Sequence, residues 1–243
     1  MLSETDLVPF YVSPPVGERV IVFAPHPDDE TLGMGGSLRI LSDHGKKIKV
    51  VVLTRGEKAE PDVTKQKRHA EMRQKEALKA FKALGLSDYE FLGFPDREIV
   101  SNMGAVAKAM KTIVGDFSPD VLYSPSMLEI HPDHRAAAEL SLSICKENLH
   151  IGCFFYEITV PIRPSLFVDI TKVFKYKKKA VKCYKSQLRI TDYLRMAEAL
   201  NTYRSFSLGK GVKFAEAFWQ VRRVTENEIL RNWMTYEAPL HEL

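Results

Sequence analysis

Cysteine is scarce in this chain. Cys145, Cys153 and Cys183 are odd in number, widely spaced and form no C-x-x-C pair. That pattern argues against a disulfide framework or a thiolate metal cluster and reads as reduced thiols, more often core filler than ligands. Long apolar runs are also missing, since none approaches the ~18–20 residues of a membrane span. Met1 to Glu18 lacks a basic region followed by an apolar segment, so no signal peptide is expected there. Internal repeats and low-complexity linkers are absent too. The net charge is only +4 over 243 residues. Such a mild excess fits an anionic substrate or a nucleic acid and decides between neither. A soluble, cytoplasmic protein is the expectation.

Apolar residues make up 45% of the chain and aromatics 10%, enough for an ordinary core. Strand-like runs alternate with helical patterns. Val20-Ile21-Val22-Phe23 reads as a buried strand and is followed by a helix over 32–43. Further strands are expected at 48–53, 88–92 and 120–123, with helices at 64–84, 103–117 and 135–148. This alternation predicts an α/β fold with a Rossmann-like, mostly parallel sheet flanked by helices over 19–150. Residues 1–18 are an extended lead-in. Strands at 153–157, 165–170 and 212–221 and helices at 172–184 and 192–206 form a C-terminal α+β extension, 151–243, of the same single domain.

The first strand runs directly into His26-Pro27-Asp28-Asp29-Glu30 and then Gly33-Met34-Gly35-Gly36. Ligand groups of an open α/β sheet gather at the carboxyl ends of its strands. Three adjacent carboxylates repel one another unless a positive charge sits among them, and a divalent metal answers that need. The fourth strand leads to His131-Pro132-Asp133-His134 at the head of a helix, with the two histidines on neighbouring faces. Two such strand ends meeting at a switch point would bring His26, Asp29 and His134 within reach of one ion. Two imidazoles and one carboxylate leave coordination positions open, as in a catalytic zinc site. The glycine cluster lacks the third glycine of a dinucleotide fingerprint, and the acidic residues before it would repel a pyrophosphate.

His-Pro-Asp-Asp-Glu after a buried strand, with His-Pro-Asp-His about a hundred residues later, resembles the LmbE-like (PIG-L) family of zinc-dependent N-deacetylases. Thr54-Arg55-Gly56-Glu57, Arg73 with Glu76, Leu92-Gly93-Phe94-Pro95-Asp96, Tyr156-Glu157, the segment Lys179 to Gln187, and Glu216-Ala217-Phe218 are similar to further family segments. The resemblance implies that zinc, or ferrous iron in its place, is held by His26, Asp29 and His134. Asp28 would be the general base towards a zinc-activated water attacking an amide. His131 would stabilise the oxyanion or donate a proton to the leaving amine, with Asp133 keeping it protonated. Glu30 would support the site from outside the metal shell or act as a helix N-terminal carboxylate. Arg55 and Asp96 would line the cleft and contact sugar hydroxyls. Glu129 departs from members that carry an oxyanion-stabilising tyrosine near this point.

The expected activity is therefore removal of an N-acetyl group from an N-acetylglucosamine-type sugar or conjugate. The expected partner is that small molecule, with no nucleic acid, no membrane span and self-association into a homo-oligomer. A non-haem iron oxygenase shares the two-histidine, one-carboxylate set. A non-catalytic metal-binding Rossmann-like protein is the other alternative, though it has no use for Asp28 or His131. The run Lys175, Lys177, Lys178, Lys179 and Lys182 reads as a solvated helix face, and Trp219 and Trp233 as core or interface residues.

Overall fold

The computed structural model describes residues 10–221. A short edge strand, β1 (Tyr11–Val12), precedes β2 (Arg19–Ala24). There follow α1 (Asp29–Asp43), β3 (Lys47–Thr54), α2 (Val63–Leu84), β4 (Asp88–Phe94), α3 (Met103–Phe117), β5 (Val121–Pro125) and α4 (Pro132–Glu147). The later part adds β6 (Gly152–Tyr156), β7 (Leu166–Asp169), α5 (Phe174–Val181), α6 (Lys185–Leu188), α7 (Tyr193–Ser205) and β8 (Ala215–Val221). Among the described residues no helix is long and apolar enough to cross a membrane. Trp219 is buried in the core, whereas Trp233 lies outside the described residues.

One eight-stranded sheet runs in the order β1-β7-β8-β6-β5-β2-β3-β4. All pairings are parallel except those of β8, which is antiparallel to both β6 and β7. The expected mostly parallel α/β sheet is present. Strands after residue 150 continue it on one side, and the lead-in adds β1 beside β7. Val20, Val22 and Ala24 of β2 face the core layer under α1, α2 and α5, while Ile21 and Phe23 face the layer under α3 and α4. Burial on both faces explains why β2 reads as an unbroken apolar run.

From β2 the chain winds outward through β3 to β4 and then returns to place β5 on the other side of β2. The reversal makes the β2/β5 boundary a topological switch point. Pairing of Val20 with Val121 and of Val22 with Tyr123 sets the carboxyl ends of the two strands side by side. Both histidine motifs therefore open onto one crevice.

Helix α1 starts at Asp29, earlier than the expected Leu32, and takes Asp29 and Glu30 into its first turn. It kinks at Met34 (φ −140°, ψ 25°). Beyond the kink, the backbone N–H groups of Gly36 and Ser37 donate to the two oxygens of Glu216 on β8 at 2.8 and 2.7 Å. Lys177 on α5 donates to the same carboxylate at 2.7 Å. Lys177 is thus buried (1% exposed) and is no part of a solvated face. The helix expected over 172–184 is the shorter α5, and a separate turn, α6, follows beyond its expected end.

The glycines of α1 are there for closeness. A Cβ on Gly33 would stand 2.2 Å from the ring of Tyr156. Tyr156 is fully buried and its hydroxyl donates to the Phe23 carbonyl at 2.8 Å. Gly33→Ala is expected to displace that ring and to lower stability by about 2–3 kcal/mol, measured by denaturant unfolding. Gly115→Ala, in α3 with nothing within 4 Å of its would-be Cβ, is expected to stabilise by about 0.5–1 kcal/mol through helix propensity. A neutral Gly33→Ala would mean that the α1–β6 contact is loose.

Candidate metal centre and active site

At the end of β2 the chain turns sharply. Asp28 caps α1 at φ 138°, a positive φ that costs strain in any residue with a side chain. The turn brings Asp29 back under His26, whose backbone N–H donates to Asp29 Oδ2 at 2.8 Å. Helix α4 supplies His134 from the neighbouring strand end. His26 Nδ1, Asp29 Oδ2 and His134 Nε2 form a triangle with all three sides 3.2 Å.

This triangle fits a divalent ion. Donors about 2.0–2.1 Å from a tetrahedral zinc lie about 3.3–3.4 Å apart, close to the sides found here. Two imidazole nitrogens facing each other at 3.2 Å repel unless a proton or cation lies between them. Burial alone would lower the pKa of His134, but the Asp29 carboxylate lifts it to about 9. Burial alone would raise Asp29, yet His134 and His26 hold it well below the carboxylate range. The pocket is built around positive charge.

The outer nitrogens of both histidines face carboxylates, but only that of His26 is hydrogen-bonded, which fixes its ring. His26 Nε2 donates to Asp96 Oδ1 at 3.0 Å and stands 3.4 Å from Asp133 Oδ2. His134 Nδ1 lies 3.7 Å from Glu129 Oε2, an ion-pair distance beyond a hydrogen bond. Glu129 is itself buried and accepts from Ile158 N, Thr159 N and Thr159 Oγ1.

Asp28 lies beside the triangle, outside it. Its Oδ1 accepts from Arg73 at 2.9 Å, and the same guanidinium binds the carbonyls of Pro27 and Gly56 at 2.8 and 2.9 Å. The other oxygen accepts no hydrogen bond among the described residues. Burial pushes the Asp28 carboxyl up to about 7 against the opposing pull of Arg73. Glu30 is fully buried, held by Thr31 Oγ1 at 2.5 Å and Tyr184 at 2.8 Å, with its Oε2 3.4 Å from the Asp28 backbone N. It supports the turn and does not reach the triangle.

His131 is half-buried and edges against His26, their ring centroids 4.5 Å apart. Its Nδ1 accepts from the Asp133 backbone N–H at 3.2 Å. That bond assigns the neutral tautomer with the proton on Nε2. Burial, with His26 and His134 nearby, pushes its pKa down to about 4. Asp133 does not keep His131 protonated in this arrangement. Its carboxylate is spent on the backbone N–H groups of Arg97 (2.7 Å) and Ile99 (3.1 Å) and faces His26.

Of the two expected substrate contacts, Asp96 lines the cleft of the donor triangle and Arg55 does not. Asp96 is buried, with Oδ1 on His26 and Oδ2 on the Lys58 backbone N–H at 3.2 Å, and each oxygen keeps a lone pair for a further donor. Arg55 is exposed, 3.7 Å from Glu57, and lines a separate cavity of about 590 Å³ with Gln66, Lys67, Gln74 and Phe91. The triangle opens instead into a cleft of about 650 Å³ bounded by Leu32, Arg97, Ile130, Thr159, Gln187 and Tyr193. Arg73 lines this cleft and not the cavity beside Arg55. Arg73 and Glu129 were not given roles from sequence; the spacing of Arg73, Glu76 and Ala80 on the buried face of α2 was the signal available for the former.

Residues 21–145 match the PIG-L family, described as GlcNAc-PI de-N-acetylase. The chain is 27% identical over 207 residues to diacetylchitobiose deacetylase of Thermococcus kodakarensis, covering 77% of this chain and 76% of that protein. It is 27% identical over 184 residues to a probable N-acetyl-alpha-D-glucosaminyl L-malate deacetylase 2 of Bacillus cereus, covering 70% and 83%. The fold is similar to that of N,N'-diacetylchitobiose deacetylase from Pyrococcus horikoshii, with a TM-score of 0.75 at 22% identity, over 98% of this chain and 94% of that one.

Proposed function

The chain belongs to the PIG-L family, and from that premise we propose that it removes the acetyl group from an N-acetylglucosamine-type amino sugar or conjugate. His26, Asp29 and His134 would hold one divalent ion, zinc or ferrous iron. The observation that carries this reading is the 3.2 Å triangle of donors with the open oxygen of Asp28 beside it. Both relatives compared by sequence bear deacetylase names that specify N-acetylated sugars.

A divalent ion in that triangle supplies Lewis acidity, polarising an amide carbonyl and bringing the pKa of a water near 7. Asp28 takes the proton as the water oxygen bonds to the carbonyl carbon. Arg73 holds Asp28 in place, so its open oxygen faces the cleft rather than its own backbone. His131, as the Nε2–H tautomer, donates to the carbonyl oxygen as negative charge develops there. The C–N bond then breaks, and Asp28 returns its proton to the amine as acetate leaves. Asp96, Asp133 and Glu129 orient the two histidines, and Glu30 supports the Asp28 turn. Arg55 would meet only a part of a conjugate that extends into the neighbouring cavity.

The test is amine release from a panel of N-acetylglucosamine derivatives, with protein as purified, chelated and zinc-restored. Release is expected to vanish on chelation, to return with about one ion per chain, and to proceed without oxygen. Release that survives complete ion removal would overturn the reading. Oxygen-dependent turnover would favour the oxygenase alternative.

A further inference from the structure

One buried ion pair near the cleft has no part in the proposed chemistry. Glu157 follows β6 directly, and Arg204 comes from the last turn of α7, 47 residues later. Both are buried, at 2% and 8% exposure. Arg204 Nε donates to Glu157 Oε1 at 2.8 Å and Nη2 to Oε2 at 2.6 Å, a two-point fork. The same Nη2 donates to the Ile162 carbonyl at 2.7 Å, and the Ile162 N–H donates to Glu157 Oε2 at 2.9 Å. Asn201 of α7 donates to the Ala215 carbonyl of β8 at 2.9 Å, so the guanidinium is presented from a docked helix.

The pair closes one end of the irregular loop between β6 and β7. The other end is held by Glu129, whose Oε1 accepts from the N–H groups of Ile158 (2.8 Å), Thr159 (3.0 Å) and Val160 (3.3 Å). Two carboxylates therefore divide the loop, Glu129 taking 158–160 and Glu157, with Arg204, taking 162. The loop meets the site twice. Ile158 and Thr159 line the cleft, and Glu129 Oε2 stands 3.7 Å from His134 Nδ1. Among the described residues Glu129 has no other cation within ion-pair distance. Its place behind His134 is set by the amides it accepts. Slackening the loop at Ile162 would loosen those amides, and with them the carboxylate behind a metal ligand.

We propose that Arg204 and Glu157 are positioning residues for the metal centre, acting on His134 through the 157–162 loop and Glu129. The proposal rests on the reading of His26, Asp29 and His134 as the holders of one divalent ion. A pair that only docked α7 on the sheet would change stability and leave ion affinity alone.

The experiment measures the zinc affinity of the full chain, stripped of ions, by competition with a chromophoric chelator. Removing Arg204 alone would strand a buried carboxylate and endanger the fold. The main variant is therefore Arg204→Met with Glu157→Gln, which removes both charges and leaves an amide oxygen for the Ile162 N–H. It is expected to bind zinc about tenfold more weakly than wild type, the low end for groups behind metal ligands. Glu129→Gln is expected to lose about as much. Combining all three substitutions should again cost about tenfold rather than about a hundredfold, because both changes act through one carboxylate. Arg204→Lys, which keeps the charge and a donor to Glu157, should fall between wild type and the double variant. Hydrogen exchange of the Ile158 and Thr159 amides is the second measurement and should be faster in the double variant. Wild-type zinc affinity in the double variant, additive losses in the triple, or unchanged exchange overturns the proposal while the metal centre stands. A wild type that binds no zinc overturns the metal-centre reading and this proposal with it, whereas zinc bound without amine release overturns the deacetylase reading alone.

Discussion

Asp28→Asn is expected to lower kcat by about a thousandfold while leaving one divalent ion bound per chain. General base catalysis contributes about 10²–10⁴ in rate, and the amide that replaces the carboxylate cannot accept the proton of the attacking water. Retention of the ion follows because Asp28 lies outside the donor triangle and faces Arg73. Asparagine is also among the residues that best tolerate a positive φ, so the turn at φ 138° should survive. Its side-chain oxygen can still accept from Arg73, which keeps the Pro27 and Gly56 carbonyls as further acceptors. Asp29→Asn is the contrasting variant, expected to lose both ion and activity because it weakens a donor that faces both histidines. The measurements are metal stoichiometry, near-UV circular dichroism and steady-state kinetics on an N-acetylated sugar that the wild type hydrolyses. An Asp28→Asn enzyme within tenfold of wild type would remove Asp28 from the mechanism.

The sequence carries the triangle more clearly than its surroundings. His26 and Asp29 could be chosen because they follow directly on an unmistakable apolar strand, and His134 because it heads the helix after β5, with a switch point forcing the two strand ends together. Arg55 and Asp96 also follow strands, but strand order alone does not say which way their side chains turn. Here the chain passes a register shift between β3 and β4 at Val52/Thr54 and a positive φ at Gly93, with Arg55 on the outer cavity and Asp96 against His26. Neither feature has a periodic signature. Glu129 was legible only as a missing tyrosine. Its contact with His134 depends on the Ile158–Thr159 turn, whose backbone donors hold it. Asp133 was expected to act on His131 through sequence proximity, whereas its oxygens turn instead to the loop after β4. Local spacing identifies ligands on one turn of helix well; it says little about carboxylates whose partners are backbone groups of a distant loop.

The same limit applies to Lys177, and there it has the largest consequence for stability. Within α5 it is one lysine of a basic run, and only its pairing with Glu216, 39 residues later, shows that it is buried. Glu216 is 0% exposed and accepts from Lys177, Gly36 N and Ser37 N, holding the segment of α1 beyond the Met34 kink against β8. Glu216→Ala would strand a buried ammonium and two helix N–H groups at once. Removing one partner of a buried pair costs about 3–5 kcal/mol, because the remaining charge has neither water nor a counterion. For a chain of this size that corresponds to a melting temperature lower by about 6–20 °C. Lys177→Met is expected to cost less, since the Glu216 carboxylate keeps both backbone donors. Combining Lys177→Met with Glu216→Gln removes both charges, and the amide oxygen can still accept from one of the two N–H groups. The double variant should therefore recover at least half of the Glu216→Ala loss. Thermal and urea unfolding of the three variants measures the order directly. Equal losses for Glu216→Ala and Lys177→Met would show that the ion pair itself, rather than the carboxylate at the restart of α1, holds this part of the fold together.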